Sequence, residues 1–182
     1  MQEDKSKLMG FAMQGGLFLG TFWIVKYFFV IASSGNSILQ FFIPVLSALT
    51  PVILLQYLLK YRISVLDNVL GYWHGVQFAI MLFFFASLFE SVAAFIHITW
   101  IDQQYVSAMY AEMVSALKAF NLSDSMVSNF ESQPIPGAFG YLVNHVILSD
   151  VLIGLILSLF VVPISKMINP KNFNTKQSDR NE

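Results

Sequence analysis

Four stretches of this chain are long and apolar enough to cross a lipid bilayer, and nothing else constrains its fold as strongly. A hydrocarbon core of about 30 Å needs about 20 mostly apolar residues. Residues 10–32 reach that length with Lys26 as their one charge, and residues 38–59 carry none. Residues 74–100 carry Glu90, and residues 141–163 carry Asp150. Backbone groups in lipid must be bonded within their own segment or around a closed barrel. The two-residue alternation of a membrane strand is missing, so these segments read as helices. The expected fold is an all-α, integral-membrane four-helix bundle forming one domain over residues 1–170. A helical connector over residues 101–140 and a flexible tail over 171–182 complete it.

Composition agrees. Of 182 residues, 56% are apolar and only 12% are charged, against about 25% charged in a soluble domain. A net charge of −1 gives no basic footprint for phosphate backbones, so nucleic acid is not an expected partner. The lipid bilayer is. Cysteine is absent, which excludes disulfide scaffolds, thiolate metal sites, Fe–S clusters and cysteine nucleophiles. The chain holds no G-x-x-x-x-G-K-[ST], H-E-x-x-H or G-x-S-x-G motif. Ser149 and His145 stand one helical turn apart, but no oxyanion-hole partner accompanies them. The expectation is a protein that is not an enzyme and carries no cofactor.

Basic residues give the orientation. Lys5, Lys7, Lys60, Arg62, Lys166, Lys171, Lys176 and Arg180 fall on one side of the spans, and Lys118 alone falls on the other. Loops rich in Lys and Arg stay in the cytoplasm. Both termini and the connector after the second span are therefore expected inside. The short polar turn at residues 33–37 and the long connector are expected outside. The first apolar run is longer than the 7–15 residues of a signal-peptide core and follows Glu3 and Asp4, so it reads as a retained span.

The outer connector has a pattern of its own. Ile101, Tyr105, Met109, Met113, Leu117 and Phe120 recur at spacings of three and four, one stripe along a helix. Ser123-Asp124 opens a second short helix, and Pro134, Pro136 and Gly137 close it. Such a hairpin can lie on the bilayer or dock a partner.

The intramembrane charges are the candidate site. A charge in lipid costs a few kcal/mol even on lenient scales. At 1.5 Å per residue, Lys26 lies about 7 Å, Glu90 about 5 Å and Asp150 about 3 Å to the outer side of their span midpoints. Lys26, Glu90 and Asp150 are thus expected to meet in one layer. One ammonium balances one carboxylate, so one of the two acids is expected to hold a proton. The cluster is either a lock between helices or a protonatable site of a small proton- or ion-coupled transporter or channel component. His97, Asn144 and His145 form a possible polar second shell. Two histidines on different spans at similar depth also admit a haem b reading, that of a redox subunit. His74, beside Trp73 and Tyr72, reads as part of the inner aromatic belt. Gly16 and Gly20 form a small-xxx-small step that lets another helix approach closely.

Several features recur together: a Gly-rich first helix from Gly10 to Gly20, Tyr61-Arg62 after the second span, and Gly71-Tyr72 opening the third. A long amphipathic connector ending in Pro136-Gly137 and a last span followed by lysines complete the set. Over about residues 6–170 the chain resembles a family of small bacterial membrane proteins, common in Bacteroidetes, known as a domain of unknown function (number 4199). Copies in that family often place an acid after Tyr-Arg, where Ile63 stands here, with Asp67 later. The resemblance implies an inner-membrane location and assigns no activity. The role expected is that of an accessory or structural membrane protein, acting as a homo-oligomer or with a membrane-protein partner.

Overall fold

The computed structural model describes residues 2–32, 37–120 and 123–168, and every regular element among them is helical. In chain order these are α1 (Gln2–Ala32), α2 (Ser37–Val65), α3 (Tyr72–Ile96), a π-helical turn (His97–Ile101) and α4 (Tyr105–Ala119). Then follow α5 (Asp124–Glu131), α6 (Ala138–Tyr141), a second π-helical stretch (Leu142–Ile147) and α7 (Leu148–Met167). Among the described residues four helical stretches are long and apolar enough to cross a membrane: Ser6–Phe29, Phe41–Val65, Tyr72–Ile101 and Ala138–Met167. They coincide with the four apolar segments of the sequence, and the chain is a multi-pass membrane protein. The polar turn expected at residues 33–37 lies outside the described residues except for Ser37, which opens α2. The expected tail lies wholly outside them.

One boundary differs from expectation for a physical reason. α2 does not stop near residue 59 but runs to Val65, so Lys60, Tyr61 and Arg62 are helical. The turn to α3 is confined to residues 66–71. It reverses through Asp67 (φ 44) and Asn68 (φ 69), residue types that tolerate the left-handed region. Backbone bonds from Asn68 N to Arg62 O (3.1 Å) and Val69 N to Leu66 O (2.8 Å) close it.

The helices divide between two compact units. The first comprises Met1–Glu90 with Ser149–Glu182. Its core draws on all four long helices, with Leu19 and Trp23 of α1, Leu54 and Leu58 of α2, Phe78, Leu82 and Phe83 of α3, and Val162 of α7. The outward faces of the same helices carry exposed Phe18, Phe28, Phe41 and Phe160. That pattern suits lipid as the solvent. Acyl chains are as apolar as a core, so helices associate there by close packing rather than by leaving water. α3 holds the other three. A β-carbon at Gly16 would fall 2.5 Å from Phe85 Cβ and 2.8 Å from Leu82 O. One at Gly154 of α7 would fall 2.5 Å from Phe83 Cγ. On the α2 side, Tyr61 stacks on Phe78 with ring centroids 4.6 Å apart.

The second unit is Ser91–Leu148. The stripe from Ile101 to Phe120 is not one helix. The π turn ends at Ile101, and the chain breaks at Asp102, whose backbone turns to φ −135°, ψ 89°. Asp102 Oδ1 then accepts the Gln104 N–H at 3.0 Å as α4 begins. A local side-chain acceptor thus competes with the helix ladder and wins. The short helix expected after Ser123 is present as α5. Lys118 of α4 and Glu131 of α5 join the pair at 2.7 Å.

Candidate functional site

Lys26, Glu90 and Asp150 sit on α1, α3 and α7 of the first unit. Small residues bring these helices close. A β-carbon at Gly20 would stand 2.7 Å from Ala86 O and 2.8 Å from the Cβ of Phe89, the residue before Glu90. Gly154, one turn after Asp150, takes Phe83 in the same way. The helices that carry the three charges therefore touch closely, α1 on α3 through Gly20 and α7 on α3 through Gly154.

Within the cluster the Glu90 and Asp150 side chains come within hydrogen-bonding reach of each other, and the charge of Lys26 acts on both. Two carboxyl groups can share a hydrogen bond only if one carries a proton. Lys26 is held from behind by Trp23, whose ring centroid is 5.6 Å from Nζ. Trp23 is itself fixed, donating from Nε1 to Thr50 Oγ1 at 3.2 Å and meeting Phe83 edge-on at 5.3 Å. Cation–π contact with a buried indole places the ammonium without a second acid. The Ser87 hydroxyl, a nearby candidate donor, gives its proton to Phe84 O of its own helix at 2.8 Å. Asp150 Oδ2 is buried and has no hydrogen-bond partner among the described residues.

The histidine group belongs to the other unit. His97 opens the first π segment, and Asn144 and His145 lie in the second. Tyrosines surround both imidazoles. His97 is buried and meets Tyr105 edge-on at 5.1 Å. His145 Nε2 is 2.9 Å from Tyr110 Oη, and Tyr141 stacks on its ring at 5.2 Å. Tyr141 in turn donates to Met109 Sδ at 3.2 Å. A haem iron needs an open imidazole nitrogen and a free approach to it. At His145 a phenol meets Nε2 and a ring covers one face, so this arrangement favours packing over ligation.

A second polar cluster, at the α2–α3 turn, was not visible as a site in the sequence. Arg62 is 8% exposed. Its Nη1 donates to Ser165 O at 2.5 Å and Ile168 O at 3.3 Å, and its Nε to Asn68 O at 3.1 Å. A residue read as a loop charge instead ties the turn to the end of α7. Beside it, fully buried Tyr61 meets His74 Nε2 through its hydroxyl at 2.7 Å, with the rings parallel at 5.7 Å. His74 is thus packed inward, whereas its neighbour Trp73 is exposed. The signal was there: Thr50, Leu54, Leu58, Tyr61 and Arg62 continue one helical face.

The family described as "Protein of unknown function (DUF4199)" matches residues 14–166. The chain belongs to this family. The match spans the charge cluster, the Tyr61-Arg62 pair and the whole second unit. No curated protein and no solved structure matches the chain.

Proposed function

We propose that this family member is a non-enzymatic inner-membrane protein with both termini in the cytoplasm and α4 and α5 outside. It works as an accessory subunit through assembly in the bilayer, and Lys26, Glu90 and Asp150 lock its helices together. One observation carries the lock: α1 and α7, which bear Lys26 and Asp150, press on α3, which bears Glu90, through Gly20 and Gly154 with no room for a β-carbon. An ion pathway needs open space beside its charges, and a lock needs tight walls. With one shared proton on the two acids, Lys26 leaves the cluster neutral in lipid. The orientation rests on Lys60, Arg62 and Lys166 at one end of the spans, against Lys118 in the connector.

The test is membrane abundance and thermal stability of Lys26→Met, Glu90→Gln and Asp150→Asn, singly and in pairs. Removing one partner of a buried ion pair costs roughly 3–5 kcal/mol, whereas neutralising both is often harmless. Single variants, Lys26→Met above all, are expected to lose stability, and Lys26→Met with Glu90→Gln to recover part of it. Wild-type behaviour of every variant would remove the lock. A second reading is favoured by Asp150 Oδ2, a buried acceptor with no donor beside it among the described residues, where the proton shared with Glu90 is held and exchanged. It calls for proton or cation flux in proteoliposomes that Asp150→Asn abolishes while the protein stays folded.

A further inference from the structure

α1 turns a second, unexplained face away from the core. A groove of about 480 Å³ runs along it, lined by Gln14, Leu17, Phe18, Thr21 and Val25 of α1 and by Tyr57 of α2. Most of this lining is apolar, and two of its polar groups are accounted for. Thr21 Oγ1 donates to Leu17 O of its own helix at 2.8 Å. The Tyr57 ring packs on Phe18 at 5.7 Å and under Lys60 Nζ at 5.2 Å.

Gln14 is different. It is exposed, and it lies about 5 Å from the midpoint of the span Ser6–Phe29, at 1.5 Å per residue. A carboxamide at that depth faces acyl chains, which offer neither donor nor acceptor. Groups of this kind act as glue between helices in membranes because lipid cannot satisfy them. A carboxamide is also self-complementary, donating through Nε2 and accepting through Oε1. Two copies of one glutamine across a two-fold axis satisfy each other reciprocally, which is the geometry of an isologous interface. Lipid could fill the apolar part of the groove but leaves Gln14 unpaired. A second α1 fills it with Leu17 and Phe18 and pairs the carboxamide.

We propose that the α1 groove centred on Gln14 is a homodimer interface, occupied by α1 of a second copy of this chain. The proposal rests on the assembly reading above and names its partner. It is independent of what the charge cluster does.

The chain has no cysteine, so a single introduced thiol reports on one position without background. Leu17→Cys in native membranes, treated with an oxidant, is expected to give a disulfide-linked dimer. Ile156→Cys, exposed on α7, is expected to stay monomeric. Adding Gln14→Leu to Leu17→Cys should weaken the dimer about 8-fold or more, since the symmetric pair loses both of its interhelical hydrogen bonds. Gln14→Asn, which keeps the carboxamide, should weaken it less. Equal crosslinking at positions 17 and 156, or no effect of Gln14→Leu, overturns the proposal. So does a stronger effect of Gln56→Leu, the exposed carboxamide of α2 outside the groove. If Leu17→Cys fails to crosslink while native gels show a heavier assembly, the dimer falls and the assembly reading stands. If folded protein runs only as a monomer, both fall.

Discussion

A β-carbon added at Gly10 meets nothing within 4 Å, whereas one at Gly20 meets a backbone carbonyl at 2.7 Å. The two glycines share a helix and a lipid setting, so they separate the cost of filling space from the loss of glycine itself. Gly10→Leu is expected to leave thermal stability unchanged or slightly raised, since leucine favours helix by nearly 1 kcal/mol. Gly20→Leu must push α1 off Ala86, and overpacking costs about 1–3 kcal/mol even where side chains can yield. Melting curves of the two variants in one detergent check this; equal curves would mean the α1–α3 contact is looser than the geometry says. At this scale much was legible. Gly16 and Gly20 advertise a close approach by their spacing, although the partner helix does not follow from it. Gly154 carries the same mark, since with the fully buried Ser158 it forms a four-residue step of small residues on α7. The convergence of Lys26, Glu90 and Asp150 could be anticipated from span depth because rise per residue is fixed. Which oxygen is left over could not, since that depends on side-chain geometry.

Elements end where something takes over their last hydrogen-bonding groups. The final carbonyls of α7 have no intrahelical donor, and Arg62 supplies one to Ser165 O and to Ile168 O just past the helix, while its Nε holds Asn68 O in the α2–α3 turn. A cation at a helix C-terminus also meets the favourable end of the helix dipole. Arg62→Met is expected to destabilise by roughly 2–3 kcal/mol, because it strands buried carbonyls that a thioether cannot satisfy. Arg62→Lys should recover only part, since an ammonium cannot reproduce the guanidinium fork. Thermal melts together with limited proteolysis near residue 168 check it, and an Arg62→Met protein as resistant as wild type would count against the staple. In the sequence Arg62 looked like a loop charge because basic residues mark span ends on average. Its burial becomes visible only when the stripe through Leu54, Leu58 and Tyr61 is followed past the apolar run. The π segments at His97–Ile101 and Leu142–Ile147 had no such sign. An i→i+5 turn inserts one residue into a helix without changing its composition. The periodicity through Ile101 therefore pointed to one continuous helix where Asp102 interrupts it.

For the whole molecule, apolar length gives the number of spans and says nothing about which way they run. That information lies in the sparse charges outside them. Lys60 and Arg62 close α2 and Lys166 lies in the last turn of α7, whereas the described part of the connector carries Asp102, Glu112, Asp124 and Glu131 against Lys118. Arg62 is engaged internally, so the orienting signal at the α2–α3 turn during insertion comes from residues that the finished fold partly hides. The absence of cysteine makes the orientation directly measurable. Val69 in that turn and Ser125 on α5 are exposed. In intact cells whose outer barrier is opened, Ser125→Cys is expected to react with a membrane-impermeant maleimide, and Val69→Cys only after the inner membrane is permeabilised. The Lys118–Glu131 pair should not influence the result, because an exposed ion pair is worth at most about 1 kcal/mol. Reversed labelling would place the termini outside and move the Gln14 face and the charge layer toward the other leaflet. The dimer contact would survive that reversal, since a carboxamide near mid-span needs a partner whichever way its helix points.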